Sequence, residues 1–487
     1  MMEWEESELK KAGGLLSGGQ PEKALELLKE LLHHASEDFL RRGEWRIHEM
    51  IGACFHDTAD AEGAVQAYLR AAQHDRYLRC QREHFSNYLF ALHYLPELPD
   101  AFLTEQHFLY GSLYRDAEPL PPLKYEKHRK LRIGCLAPDF LEQSAARFYE
   151  AMLTEYDGDR FEIYGYSLSE REDGFTDLIR ASVKKFHRVG DISIEEAALA
   201  IQRDEIDILF DLGGHSAGGM TLQIMGYRPA PVQISGIGYF DTTGLPMMDY
   251  FLTDEILVPT GEEGRFSEQL LKLRCAFAFR PDARMKKTKP EPKLSKETMV
   301  FGCFNNFMKL NAKVLECFQR LLTELPKARL ILQDTTGMES RRRQMKQRAA
   351  EAGLPMERVV VRKGSDDYLS EISSVDVMLD PWPYQGGGMT CTALYMGVPV
   401  ISLTGTRHGS RFGKSLLHAA GLSELTADSQ EDYIEKAVSL MRDAERRSYF
   451  RSSLREKLEA SGLFDTQSWV RELEDMYIVL ARGRKDG

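Results

Sequence analysis

The sequence predicts an α/β protein: two doubly wound, mainly parallel sheets facing a cleft, preceded by an all-helical region. Three observations carry this reading. Short apolar runs alternate with helical segments twice, from Leu131 to Asp254 and again from Met299 to Asp443, the pattern of parallel strands covered on both faces. A charged, proline-bearing stretch, KKTKPEPKLSKET (286–298), separates the two series. Before residue 120 the apolar spacing is helical throughout. With 487 residues, roughly three domains are expected. The boundaries read from these breaks are 1–120 (helical), 128–285 (first sheet), 297–465 (second sheet) and 466–487 (a terminal helix).

Two segments of the helical region are alike, Gly19-Gln-Pro-Glu-Lys-Ala24-Leu-Glu-Leu-Leu28 and Ala59-Asp-Ala-Glu-Gly-Ala64-Val-Gln-Ala-Tyr68, offset by 40 residues. A small residue after a turn, with apolar residues three and four places on, suits the second helix of a packed pair. Tetratricopeptide repeats run at about 34 residues, so the likeness requires a longer connection through Ala35–Arg42. Gln81 to Arg115 stays helical and is rich in aromatic residues, which predicts burial against a neighbouring domain. Pro119 to Pro122 then ends the helical pattern.

Strands are expected at 131–137, 161–168, 183–190, 206–214, 232–238 and 250–253, and in the second series at 299–304, 329–333, 358–362, 375–379 and 398–403. Helices at 312–324, 339–352, 390–396, 411–420 and 429–443 alternate with the second series. In Asp465–Leu480, Trp469, Leu473, Met476, Tyr477 and Leu480 share one helical face, with Asp465 as N-cap.

A net charge of -12 argues against broad binding to nucleic acid or anionic membrane, and no nucleic-acid partner is expected. The seven cysteines are scattered, without Cys-x-x-Cys, and suggest neither a disulfide framework nor a zinc site. The N-terminus lacks a signal-peptide pattern and no stretch is apolar enough to span a membrane, so a cytoplasmic protein is expected.

The chemistry concentrates in DPWPYQGGGMTCTALYMGVPV (380–400). Pro381 and Pro383 stop the preceding strand, Gly386, Gly387 and Gly388 let a ligand approach the backbone, and a helix is expected to begin near Thr390. The first amides of such a helix form an anion site. Lys309, in Phe304-Asn-Asn-Phe-Met-Lys309, follows another strand at its carboxyl end and is the candidate cation. Asp211-Leu-Gly-Gly-His215 and Gly238-Tyr239-Phe-Asp-Thr-Thr-Gly244 mark strand ends in the first series, where ligands of such folds bind. No Asp-x-Asp pair stands in a promising loop, so no metal is expected; the cation and backbone amides would meet the leaving-group charge. Two such domains with a glycine-rich anion site suit a nucleotide-sugar glycosyltransferase.

RPAPVQISGIGYFDTTGLPMMDYFLTD (228–254), DLGGH (211–215), FNNFMK (304–309), the 380–400 stretch and GSRFGKSLL (409–417) together resemble the catalytic region of the O-linked N-acetylglucosamine (O-GlcNAc) transferases, the plant SPINDLY proteins and bacterial tetratricopeptide-linked glycosyltransferases. The resemblance covers roughly residues 85–480. It implies two Rossmann-like domains of GT-B type behind a TPR-like domain. It also implies an inverting, metal-independent, cofactor-free enzyme that moves a sugar from a nucleotide diphosphate to Ser or Thr of a protein. By resemblance Lys309 meets the donor diphosphate, Asn306 lies near the phosphate, Gly386, Gly387, Gly388, Met389 and Thr390 form the diphosphate turn, and Tyr368 packs near the base. Leu332 and Gln333 are vaguer neighbours of the nucleotide, and Arg411 matches a recurrent arginine.

The departures bear on the base and on the donor. Relatives carry a histidine after the first strand; here the stretch is Asp139-Phe-Leu-Glu142-Gln143-Ser-Ala-Ala-Arg147. Glu142 or His215 is then the candidate proton acceptor, with Gln143 and Tyr239 on the acceptor side, unless the leaving phosphate takes the proton. Animal relatives have a histidine at Gly387 and an acidic residue at Thr392, so the resemblance leaves UDP-GlcNAc and GDP-fucose open, with UDP-GlcNAc first. A bacterial source, and an acceptor such as flagellin or another surface protein, complete the expectation. The alternative of a different class is a helical scaffold whose transferase domain has lost turnover.

Overall fold

The computed structural model describes residues 2–122, 130–290 and 299–483. The chain opens with α1 (Met2–Ser17), α2 (Pro21–His34), α3 (Glu37–Asp57), α4 (Ala61–His74), α5 (Leu78–Leu92) and α6 (Asp100–Ser112). Side-chain caps start two of these helices: Ser36 Oγ accepts from Phe39 N at 3.3 Å and Asp60 Oδ1 from Gly63 N at 2.9 Å. Ala24 and Ala64 are fully buried. A Cβ on Gly52 would lie 2.6 Å from the Tyr68 ring, so α3 and α4 pack at a distance only glycine permits. The extra residues of the 40-residue offset are not a loop: Glu37–Arg42 forms an added helical turn, set off by non-helical Gly43 (φ -153°, ψ 18°).

The first sheet comprises β1 (Leu131–Ala137), β2 (Phe161–Ser167), β3 (Lys185–Arg188), β4 (Ile208–Asp211), β5 (Val232–Ser235), β6 (Tyr250–Asp254) and β7 (Gln269–Leu273). All pairings are parallel, in the order β3-β2-β1-β4-β5-β6-β7. Helices α7 (Ala146–Thr154), α8 (Gly174–Ser182), α9 (Ile194–Arg203), α10 (Met220–Met225) and α11 (Ala283–Lys287) accompany it. The second sheet has β8 (Met299–Phe304), β9 (Ala328–Asp334), β10 (Val359–Lys363), β11 (Val377–Leu379), β12 (Val400–Leu403) and β13 (Thr426–Ala427). It is also parallel, in the order β10-β9-β8-β11-β12-β13. Along this part of the chain run the helices α12 (Ala312–Glu324), α13 (Glu339–Glu351), α14 (Tyr368–Ser373), α15 (Gly388–Tyr395), α16 (Phe412–Ala419) and α17 (Gln430–Arg442), followed by α18 (Ala444–Glu459) and α19 (Thr466–Gly483). Strands β7 and β13 and helices α14 and α18 are additions to the sequence-based expectation.

The chain divides into two compact units, each built from three segments: Met1–Leu98, Thr288–Gly405 and Glu424–Arg455 in one, Pro99–Lys287, Thr406–Ser423 and Glu456–Gly487 in the other. This partition differs from the contiguous domains read from the sequence. Helix α6 belongs with the first sheet because a Cβ on its Gly111 would meet Gly244 O at 2.2 Å. The segment around α16 belongs there too, since Arg411 Nη1 and Nη2 each bond Glu262 at 2.9 Å. Helix α19 places Trp469, Leu473 and Tyr477 in the first sheet's core, and Asp465 accepts from Ser468 N at 3.1 Å as its cap. The expected linker 286–298 lies outside the described residues from 291 onward. Among the described residues no helix is long and apolar enough to cross a membrane, and none of the seven cysteines is joined in a disulfide.

Candidate active site

In the second sheet the strand order reverses between β8 and β11, which lie side by side. Loops leaving neighbouring strands there diverge to opposite faces and open a crevice, the usual ligand position of such sheets. Both phosphate-site candidates leave these two strands. After β8, Asn306 Oδ1 accepts from Met308 N at 3.0 Å and caps the single turn Phe307–Lys309. After β11, the buried Asp380 organises the glycine turn. Its Oδ1 accepts from Gly386 N at 2.7 Å, its Oδ2 from Ser402 Oγ at 2.6 Å, and its carbonyl from Tyr433 OH at 3.2 Å. A Cβ on Gly386 would stand 2.9 Å from Asn305 Oδ1 and 3.1 Å from Asp380 Oδ1, so a side chain here would press on the carboxylate that holds the turn.

Lys309 joins the two loops. Its Nζ donates to Gln385 O at 2.8 Å and lies 3.8 Å from the centre of the Tyr384 ring, a cation–π contact. Burial lowers the ammonium to about 8, opposed by the charge of Asp380. Burial likewise raises the Asp380 carboxyl, against hydrogen bonds from Ser402 and Gly386 and the charge of Lys309. A cation held in this way is poorly solvated, so an entering anion gains most from it. Helix α15 begins at Gly388, two residues before the expected start at Thr390. Its first i to i-4 bond runs from Cys391 N to Gly387 O at 3.2 Å. The amides of Gly388, Met389 and Thr390 therefore precede the helical ladder, at its positive end. Thr392 is turned inward, donating to Gly388 O at 2.8 Å. Lys309 is thus held against the turn that leads into α15, and Asn306 caps the single turn that carries it, an arrangement of cation and free amides that could hold an anion.

Two supports of this site were missed in the sequence. Tyr384 is itself held by the helical region, its ring 6.1 Å from Phe90 and 5.6 Å from Tyr94. Arg341 of α13, 0% exposed, donates from Nη1 to Asn306 Oδ1 at 2.6 Å and from Nη2 to His56 O at 2.7 Å. Tyr384 lies inside the glycine-rich stretch, and its position there is the signal that could have found it. Arg341 is one of three consecutive arginines, and no local pattern distinguishes it. Tyr368 opens α14, half-buried, after β10. Nearby, Gln333 Nε2 donates to Glu371 at 2.8 Å and Gln333 Oε1 accepts from Arg362 Nε at 2.7 Å.

The candidates of the first sheet are placed differently from the expectation. His215 follows β4 but is 0% exposed. Its Nε2 donates to Thr243 O at 2.9 Å, and its ring packs against Tyr110, Tyr239 and His107. Burial, with His107 beside it, pushes the imidazole well below its ordinary pKa. The histidine expected as a proton acceptor is thus enclosed by side chains of its own unit. Tyr239 is also buried. His107 Nδ1 donates to Leu103 O at 2.8 Å, so its Nε2 accepts from Tyr239 OH, also at 2.8 Å. Gly214 permits this packing: at φ +53° its Cβ would meet Tyr239 Cβ at 2.3 Å. Glu142 is half exposed and ion-paired to Arg147, and Gln143 Nε2 donates to Asp139 at 2.7 Å.

The sequence profile of glycosyl transferase family 41 matches residues 119–289 and 280–473. The chain is similar to "Probable UDP-N-acetylglucosamine--peptide N-acetylglucosaminyltransferase SPINDLY" of Petunia hybrida, 33% identical over 414 residues, covering 82% of this chain and 44% of that protein. The protein of the same name from Arabidopsis thaliana is 33% identical over 404 residues, covering 80% and 44%. The chain therefore spans less than half the length of these relatives. Among solved structures it is similar to a lysine-to-methionine mutant of Thermobaculum terrenum O-GlcNAc transferase, with a TM-score of 0.86 at 29% identity over 96% of this chain and 89% of that one. The likeness includes the GT-B-type pair of parallel sheets.

Proposed function

The chain belongs to glycosyl transferase family 41, and from that premise we propose that it is an inverting protein O-glycosyltransferase. The donor is a nucleotide diphosphate sugar, with UDP-GlcNAc, which the relatives' name contains, as the first choice. The acceptor is a Ser or Thr hydroxyl of a protein. One observation carries the reading: Lys309, held on Gln385 O and over Tyr384, beside a glycine turn that leads into α15.

In the reaction the acceptor oxygen attacks the anomeric carbon from the face opposite the diphosphate. The bond from that carbon to the phosphate oxygen breaks, and the nucleoside diphosphate leaves with the electron pair. Lys309 and the amides of Gly388, Met389 and Thr390 meet the charge developing on the leaving group, a role that needs no metal. Because His215 is enclosed and Glu142 is paired to Arg147, we assign the hydroxyl proton to a phosphate oxygen of the donor.

Replacing Lys309 by Ala tests this. Turnover with UDP-GlcNAc, measured well below the thermal midpoint of the variant, should fall about 100- to 1000-fold, the usual loss on removing one preorganised charge-stabilising group. Wild-type turnover in that variant would end the assignment. Titration with UDP-GlcNAc and GDP-fucose side by side identifies the donor. Mass spectrometry of co-expressed proteins, flagellin among them, identifies acceptor and sugar together.

A further inference from the structure

A groove of about 1190 Å³ runs between the helical region and the second sheet's helices. One wall comes from α2, the α3–α4 turn, the start of α4 and the 94–98 loop; the other comes from Met308, Asn311, α12 and α13. Its lining includes apolar groups, among them Phe55, Val65 and Leu315. The walls are fixed to each other. Arg348 Nη1 donates to Ala59 O at 3.0 Å, Ser340 Oγ to Asp57 O at 2.8 Å, and Lys313 of α12 is ion-paired to Glu97. The groove is therefore preformed and does not require a partner to open it.

Its charge is one-sided. Six carboxylates line it, those of Glu22, Asp60, Glu62, Glu97, Glu316 and Glu351, against two cations, Lys313 and Arg348. Lys313 is taken up by Glu97, Glu22 is ion-paired to Arg343 at 2.5 Å, and Arg348 is directed at the carbonyls of Ala59 and Leu310, which leaves four of the six carboxylates to set the charge of the walls. Asp60 and Glu62 stand exposed on one wall, Glu316 and Glu351 on the other. Acidic walls lined partly by apolar groups complement an extended segment that carries Lys or Arg beside apolar residues. The position also fits. Met308 and Asn311, which line the groove, flank Lys309, and Asn311 Nδ2 donates to Trp382 O at 2.6 Å.

We propose that this groove docks a basic, partly apolar segment of the acceptor protein, apart from the residue that receives the sugar. The proposal rests on reading the chain as a protein glycosyltransferase, and it adds the chemistry by which the acceptor is held.

The test uses the full chain and a short labelled Lys/Leu/Ser peptide, with a Glu/Leu/Ser peptide of equal length as control, followed by fluorescence polarisation. The basic peptide should bind and weaken with salt, and the acidic one should not bind. Glu62→Lys with Glu316→Lys, both on exposed positions, should weaken the basic peptide about tenfold and leave UDP binding unchanged. Reversing two exposed carboxylates outside the groove, Glu435→Lys with Glu445→Lys, should have little effect. Equal loss in both double variants would show diffuse attraction to an acidic protein and overturn the proposal, as would unaltered binding in the groove variant. Lys309→Ala separates the two readings: it should lose the donor and keep the peptide. If it keeps both, the donor assignment fails while the groove stands.

Discussion

Arg341 donates to Asn306 Oδ1 at 2.6 Å while its other terminal nitrogen holds His56 O at 2.7 Å. One buried guanidinium thus links the end of α3 to the residue that caps the Lys309 turn. Asp334, also buried, lies 4.0 Å away. Replacing Arg341 by Met removes the charge, leaves Asp334 uncompensated and frees Asn306. The expected cost is about 3 kcal/mol of stability, read as a lower denaturation midpoint. Donor KM should also rise, and Arg341→Lys should restore stability more than KM, because an ammonium cannot hold Asn306 and His56 in one plane.

The lowered Lys309 ammonium predicts the pH dependence of donor binding. Diphosphate needs the protonated form, which the donor-free protein loses as pH rises through about 8. Donor affinity should be level below that value and fall about tenfold per pH unit above it. Calorimetric titration of UDP across that range checks this. A profile that stays level well past this value would mean that the ammonium does not contribute.

His215→Ala separates packing from proton transfer. Removing a fully buried ring that donates to Thr243 O should cost about 2–3 kcal/mol, seen in thermal unfolding. Turnover measured well below the midpoint should stay within a few-fold of wild type, with the same pH profile. Loss of turnover in a fully folded sample would restore a catalytic role to this histidine.

Much of the fold was legible because parallel strands buried on both faces read as apolar runs: β1 and β8 match their expected spans. The candidate phosphate site was legible for a related reason, since glycines and a lysine just after such runs fall at strand ends. What escaped depends on distance in sequence. Edge strand β7, QLLKL, is mostly half-exposed and too short to stand out. Arg341 sits in a helix with almost no polar or apolar face, and its partners lie 35 and 285 residues away. His215 and Tyr239 have the local look of a functional strand end, and only the fold encloses them against His107 and Tyr110.

The three-segment make-up of each unit has a consequence for synthesis. Residues up to Leu98 leave the ribosome some 190 residues before Thr288, where the next part of their unit begins. At about 5–20 residues per second, that is a wait of roughly 10–40 s. Throughout it Phe90 and Tyr94 have no Tyr384 to pack against and His56 no Arg341. The helices must therefore hold their shape on their own contacts, as α3 and α4 do through Gly52 and Tyr68, before the lysine turn arrives to be built against them.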